Sequence, residues 1–126
     1  MDEDEKQRSV GIVEDEGMIA MLLRELLTRE GFNVVCTVKT GREAVDCVRD
    51  NNPDIMLMDI NLNDDMNGIE AATRIREFSD IPIIFLTAYT DARTKERAEG
   101  VRPYAFLTKP INKQMLITTL TQGITG

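Results

Sequence analysis

Asn52-Pro53-Asp54-Ile55-Met56-Leu57-Met58-Asp59-Ile60-Asn61 is the stretch on which the reading turns. Pro53 bars helix before it, and Asp59 closes the apolar run Ile55 to Met58 abruptly. Such a run fits a strand buried on both faces, as in a parallel sheet; periodicity alone leaves a buried helix segment open. Ligands on open α/β sheets sit outside the carboxyl ends of the strands. Asp59 then stands at that rim and is the candidate reactive group.

On either side of this stretch the chain alternates between strand and helix patterns. Ser9-Val10-Gly11-Ile12-Val13 reads as a first strand and ends in three acids, Glu14-Asp15-Glu16. Ile19, Leu22, Leu23, Leu26 and Leu27 recur at helical spacing, and Gly31 reads as a stop. Phe32 to Val38 is a second strand. Thr40-Gly41-Arg42-Glu43 resembles a capping box opening a second helix, whose apolar face is Ala44, Val45 and Val48. After the central strand comes a polar loop, residues 61–66, containing Asp64 and Asp65. Asn67 caps a third helix through Ile69, Ala72 and Ile75.

Pro82 opens a fourth strand, Ile83-Ile84-Phe85-Leu86, which ends at Thr87. Thr90 or Asp91 caps a helix over residues 92–99 that is almost wholly polar. Its thin apolar face predicts weak packing and a movable element. Tyr104 to Thr108 is a fifth strand, followed by Lys109-Pro110. Asn112 starts a last helix with Met115, Leu116 and Leu120. Five β-α units with right-handed crossovers predict an α/β fold, a doubly wound parallel sheet with helices on both faces.

The 126 residues suit one domain with its own core, and 42% hydrophobic against 29% charged residues excludes wholesale disorder. The expected division is a disordered acidic tail over 1–8, the domain over 9–122 and a short tail over 123–126. No apolar run approaches the roughly 20 residues of a membrane span, so the expectation is a cytoplasmic protein without membrane contact. A net charge of -7, with no Lys/Arg stripe, argues against direct nucleic-acid binding. Cys36 and Cys47 lack metal spacing and are expected as free thiols with packing roles. Histidine is absent, which removes the commonest general base and metal ligand.

Four strand ends carry polar groups: Glu14-Asp15, Asp59, Thr87 and Lys109. In a parallel sheet these share one rim. Clustered carboxylates repel, so they need positive charge. Lys109 supplies one, and Mg²⁺ suits carboxylates with carbonyls, waters and a phosphate oxygen. The set points to phosphoryl transfer onto Asp59, with Asp15 and Glu14 toward the ion and Thr87 and Lys109 toward the phosphoryl oxygens. Taken singly, each residue has a plainer reading as a turn, cap or surface charge. Their joint placement favours the functional one.

With these residues in view the sequence resembles the receiver domains of two-component response regulators, of the chemotaxis-regulator type, from about Val10 to Leu120. The motifs are Ile12-Val13-Glu14-Asp15-Glu16, Leu57-Met58-Asp59-Ile60, Asn67-Gly68-Ile69-Glu70, Leu86-Thr87-Ala88 and Phe106-Leu107-Thr108-Lys109-Pro110. The resemblance implies a flavodoxin-like (βα)5 three-layer sandwich with strand order 2-1-3-4-5. It implies that Asp59 accepts a phosphoryl group from a phosphohistidine on a sensor histidine kinase or histidine phosphotransfer protein. It assigns Mg²⁺ to Asp15, Asp59, the Asn61 backbone carbonyl and Glu14, the last directly or through water. Thr87 and Lys109 match the phosphoryl-binding pair, Lys109-Pro110 the family's cis bond, and Phe106 the switching aromatic.

Such a chain is a phosphoacceptor that assists its own phosphorylation and dephosphorylation, not a turnover enzyme. Phe106 replaces the more usual Tyr, and the loop from Asp59 to Gly68 is one residue longer than usual. The charged pairs of one family dimer are not evident, so no dimer mode is carried over and a homodimer formed on phosphorylation stays open. The downstream effector is not legible, and a stand-alone regulator reads the same as a receiver within a longer protein. Two rivals are a receiver-like interaction module acting without phosphate and a haloacid-dehalogenase-type phosphatase. The complete acceptor set argues against the first. The second needs an acid two positions after Asp59, where Asn61 stands.

Overall fold

The computed structural model describes residues 8–62, 65–88 and 91–125. Residues 1–7, most of the expected acidic tail, lie outside that set, as do Asp64, Tyr89 and Thr90. Five strands, β1 (Arg8–Val13), β2 (Phe32–Val38), β3 (Ile55–Asp59), β4 (Ile83–Thr87) and β5 (Ala105–Thr108), alternate with five helices. The helices are α1 (Gly17–Arg29), α2 (Gly41–Asn51), α3 (Gly68–Arg76), α4 (Ala92–Glu99) and α5 (Lys113–Thr125). The sheet is parallel in the order β2-β1-β3-β4-β5. The fold class and strand order are those expected.

Strand alternation sorts the core into two layers. Val10, Ile12, Ile55, Leu57, Ile84 and Leu86 face α1 and α5, where they meet Leu23, Leu27, Leu116 and Leu120. Met56, Met58, Ile83 and Phe85 face the other way, toward Ala44 and Val48 of α2, Ile69, Ala72 and Ile75 of α3, and Ala98 of α4. Every residue of β3 and β4 is buried, as a central strand covered on both faces requires.

The predicted caps hold with one variation. Asn67 and Glu70 form a reciprocal capping box on α3. At α2 the Thr40 hydroxyl accepts from the Glu43 amide, but the Glu43 carboxylate takes the Lys39 amide and the Thr40 hydroxyl instead of closing the box. Asn52 ends α2 at φ 44°, a left-handed position that Asn tolerates better than most side chains. Asp91 caps α4 by accepting from the Thr94 amide at 2.7 Å.

Three expectations are corrected. Arg8 belongs to β1 and not to a tail. The tail foreseen from Gly123 is helix as far as Thr125, because Gly123 is buried where a side chain would collide with Ile55 and crowd Tyr104. Cys36 and Cys47 are not free thiols: they form a disulfide across a Cα separation of 6.4 Å. Its cause is a bulge in β2. Val10 pairs with Val34, but Gly11 pairs with Cys36, so Val35 is an extra residue. One extra residue reverses the faces. Phe32 and Val34 lie in the α1–α5 layer, whereas Cys36 and Val38 lie in the α2 layer, where Cys47 stands.

Candidate phosphoacceptor site

The ladder continues one residue past the strands, and this fixes the polar side chains at their ends. The Glu14 amide donates to the Val38 carbonyl at 3.0 Å, the Ile60 amide to Leu86 at 3.1 Å, and the Lys109 amide to Thr87 at 2.8 Å. Backbones held this way leave each side chain only its rotamers to search. Behind Asp59, Gly68 lets α3 approach: any Cβ there would run into the Asp59 carbonyl oxygen. The Gly68 amide donates to the Ile60 carbonyl at 2.9 Å, closing the loop after Asp59.

Lys109 joins Glu14 and Asp59, the two buried acids among the described residues. Its Nζ donates to Glu14 Oε1 at 2.9 Å and to Asp59 Oδ2 at 3.0 Å. The Glu14 side chain is fully buried and that of Asp59 is 7% exposed. Their second oxygens are also engaged: Glu14 Oε2 accepts from the Glu16 amide and Asp59 Oδ1 from the Asn61 amide. Burial pushes the Glu14 carboxyl above its ordinary pKa, against the opposing pull of its bonds from Lys109 and the Glu16 amide. Burial would lower the Lys109 ammonium, but its bonds to Glu14 and Asp59 outweigh this and hold it above its usual value.

Glu14, Asp15 and Asp59 each place a carboxylate oxygen within 4.8 Å of the others. Three hard anionic ligands against one ammonium leave a surplus of negative charge, which fits a hard divalent cation with some waters retained. Each carboxylate oxygen has two lone pairs, so the existing hydrogen bonds leave room for coordination. Thr87 is the buried last residue of β4. Phe106 pairs in register with Phe85 and packs on it, ring centroids 5.8 Å apart, half-buried in the α2–α4 layer. The Lys109-Pro110 bond is cis.

The structure thus gathers Glu14, Asp15, Asp59 and Lys109 at one point, with Thr87 at the neighbouring strand end and Asn61 donating its amide to Asp59. One residue escaped the sequence reading. The Arg76 guanidinium donates to the carbonyls of Ser79, Ile81, Val101 and Arg102, tying the end of α3 to the turn after α4. An arginine at the end of a helix reads as a dipole partner, and nothing in its spacing points to residues 25 positions away.

The family model for the response regulator receiver domain matches residues 10–121. Over 113 residues the chain is 36% identical to the transcriptional regulatory protein PdtaR of Mycobacterium tuberculosis, covering 90% of this chain and 55% of that protein. It is 34% identical to the polar-differentiation response regulator DivK of Brucella ovis, covering 90% and 93%. The chain spans about half the length of PdtaR. The signal receiver domain of a modulated diguanylate cyclase from Desulfovibrio desulfuricans superposes with a TM-score of 0.89 at 37% identity, over 95% of each chain. The chemotaxis protein CheY4 of Vibrio cholerae does so at 0.84 and 27%, over 93% and 98%. An acid pocket at the carboxyl rim of a 2-1-3-4-5 sheet and a family match over nearly the whole length lead to one assignment: this chain belongs to the response regulator receiver domains of two-component signalling.

Proposed function

We propose that Asp59 accepts a phosphoryl group from a phosphohistidine of a sensor kinase or phosphotransfer protein. The observation that carries this reading is the Lys109 ammonium, 3.0 Å from Asp59 and 2.9 Å from Glu14. An Asp59 oxygen forms the new bond to phosphorus as the donor's P–N bond breaks, and the imidazole keeps the electron pair. Asp59 is held for this by the Asn61 amide and the buried strand behind it. Lys109 is in place to meet the negative charge on the equatorial oxygens. Asp15, Asp59, the Asn61 carbonyl and Glu14, directly or through water, would hold Mg²⁺. When bound, that ion supplies Lewis-acid neutralisation of the transferring phosphoryl group.

The product carries roughly 1.5 to 2 negative charges and three acceptor oxygens at a point where Thr87 and Lys109 can re-aim. Thr87 and Phe106 lie one strand apart, and Phe106 is only half-buried against Phe85. A shift of Thr87 therefore frees or fills space beside Phe106, and α4 repacks. The donor reaches Asp59 past α1, where Met18 and Leu22 are exposed and an apolar groove formed with Pro110 and Ile111 opens beside Lys109. The chain acts in the cytoplasm and passes its state to a protein effector. With acetyl phosphate and Mg²⁺, intact-mass spectrometry is expected to show one added phosphoryl group, and Asp59→Asn to abolish it. A label that survives this change places the acceptor elsewhere.

A further inference from the structure

The phosphoryl reading makes no use of the cysteines. We propose that Cys36 and Cys47 are a redox site, closed and opened by exchange with small disulfides and thiols, and that the bond braces the wall of the acid pocket at Glu14.

Three separate features of the chain bring the two sulfurs together. The bulge at Val35 turns Cys36 toward α2. Cys47 is buried on the inner face of α2. Gly11 clears the space between them: a Cβ there would overlap the Met56 sulfur and lie 3.0 and 3.1 Å from the Cys47 and Cys36 sulfurs. The two ends differ in access. Cys36 is half-buried on β2, the edge strand of the sheet, whereas Cys47 is 4% exposed. An incoming thiolate or disulfide therefore meets Cys36, and Cys47 is the internal partner.

The bond closes a ring over residues 36–47, and this ring makes two contacts with its surroundings, one of them at the acid pocket. It contains Val38, whose carbonyl accepts from the Glu14 amide at 3.0 Å. It also contains Gly41, seated so tightly against Met66 of the loop after β3 that a Cβ would collide with the Met66 carbonyl oxygen. Opening the ring releases the β2–α2 corner from which Glu14 hangs. In a thiol-reducing compartment, a disulfide of this kind is usually a redox sensor.

The exchange balances with a small disulfide such as oxidised glutathione. The Cys36 thiolate attacks one glutathione sulfur, forming a mixed disulfide and expelling one glutathione thiolate. The Cys47 thiolate then attacks the Cys36 sulfur and expels the second. Two electrons pass to glutathione, and the two cysteine protons end on the two glutathione thiols. Reduction is the reverse, beginning at the Cys36 sulfur.

The test compares the full chain oxidised, reduced with dithiothreitol, and as Cys36→Ala/Cys47→Ala. Oxidised glutathione is expected to convert reduced protein to a monomer lighter by two hydrogens. Reduction is expected to lower Tm by about 10 °C, the size for a ring of this length in a domain of this size. Amide exchange at Glu14 and residues 37–40 is expected to quicken about tenfold on reduction, with no redox response in the double variant. Only mixed adducts or linked dimers with glutathione, or unchanged Glu14 exchange in a mass-verified reduced chain, overturns the proposal. Mg²⁺ titration calorimetry adds an arm that rests on the metal reading above: the reduced form is expected to bind several-fold more weakly, and equal affinity overturns the coupling to the site. A Glu14 amide that responds in a chain whose two forms both fail to bind Mg²⁺ supports the brace and sinks the metal reading instead.

Discussion

β3 ends at Asp59 in the acid pocket and β4 at Thr87 on the neighbouring strand end, and each is followed by a helix with a side-chain N-cap on the same face of the sheet. Their helices are held very differently. α3 buries Gly68, Ile69, Ala71, Ala72 and Ile75, and Gly68 sits against the Asp59 backbone. α4 buries Ala98 alone. Ala98 lies at its far end, next to buried Val101, whose carbonyl is gripped by Arg76. α4 is therefore anchored away from the pocket and lightly held beside it. The pairing teaches a division of labour: the β3–α3 unit holds the Asp59 backbone firmly, and α4, with one buried residue, is the element whose displacement costs least.

The contrast between α3 and α4 is greatest in the core. Ile75 is fully buried beneath α3, and Ile75→Ala is expected to cost about 3–4 kcal/mol, from lost transfer energy and the cavity left behind. Ala98→Gly in α4 is expected to cost only about 1–2 kcal/mol, from helix propensity and one buried methyl. Urea titration of both variants measures the contrast. Equal losses would mean that α4 is packed as firmly as α3, and the assignment of α4 as the movable element would fall.

Lys109 bridges the two units, with its side chain on Asp59 of β3 and its amide on Thr87 of β4. Lys109→Ala removes only the first link. It leaves Glu14 and Asp59 without their ammonium, and a loss of about 1–2 kcal/mol is expected, smaller than for a fully buried pair because the Lys109 side chain is partly exposed. Millimolar Mg²⁺ is expected to recover part of it by binding the folded state alone. The parent also carries a pH signature. The folded state holds the Lys109 proton more tightly than the unfolded chain, so this contribution is complete below the ordinary value of 10.5 and is lost as pH rises through the higher folded value. Stability of Lys109→Ala is expected to lack that alkaline decline. A variant that declines in parallel with the parent would remove Lys109 as the bridge.

The sequence was a good guide wherever one residue type at one spacing had a single physical use. Unbroken apolar runs read as two-faced strands, and Asn67 with Glu70 read as a cap. The polar groups at strand ends became one pocket once the sheet was taken as parallel. It was a poor guide where a single extra residue changed the geometry. Val35 looks like any strand valine, yet as a bulge it reverses Cys36 and turns an expected free thiol into half of a disulfide. Gly123 reads as the start of a short tail, but its missing side chain admits Ile55 and Tyr104. Arg76 acts over a distance that no local pattern encodes.

The N-cap of α4 acts on that helix at the pocket end alone. Asp91 is exposed, and its carboxylate accepts the Thr94 amide at 2.7 Å. That bond from the Thr94 backbone holds the Asp91 carboxyl below its ordinary pKa. The cap is therefore at full strength above the unfolded value near 3.8 and weakens as pH falls through the lower folded value. At neutral pH, Asp91→Ala is expected to hasten amide exchange at Thr94 and Lys95 while leaving α3 and the global urea midpoint almost unchanged. Acidifying the parent is expected to reproduce that local pattern in α4 before the domain unfolds. If Asp91→Ala shifted the global midpoint as much as Lys109→Ala, α4 would have to be coupled to the core along its whole length, and a lightly held pocket end could not be sustained.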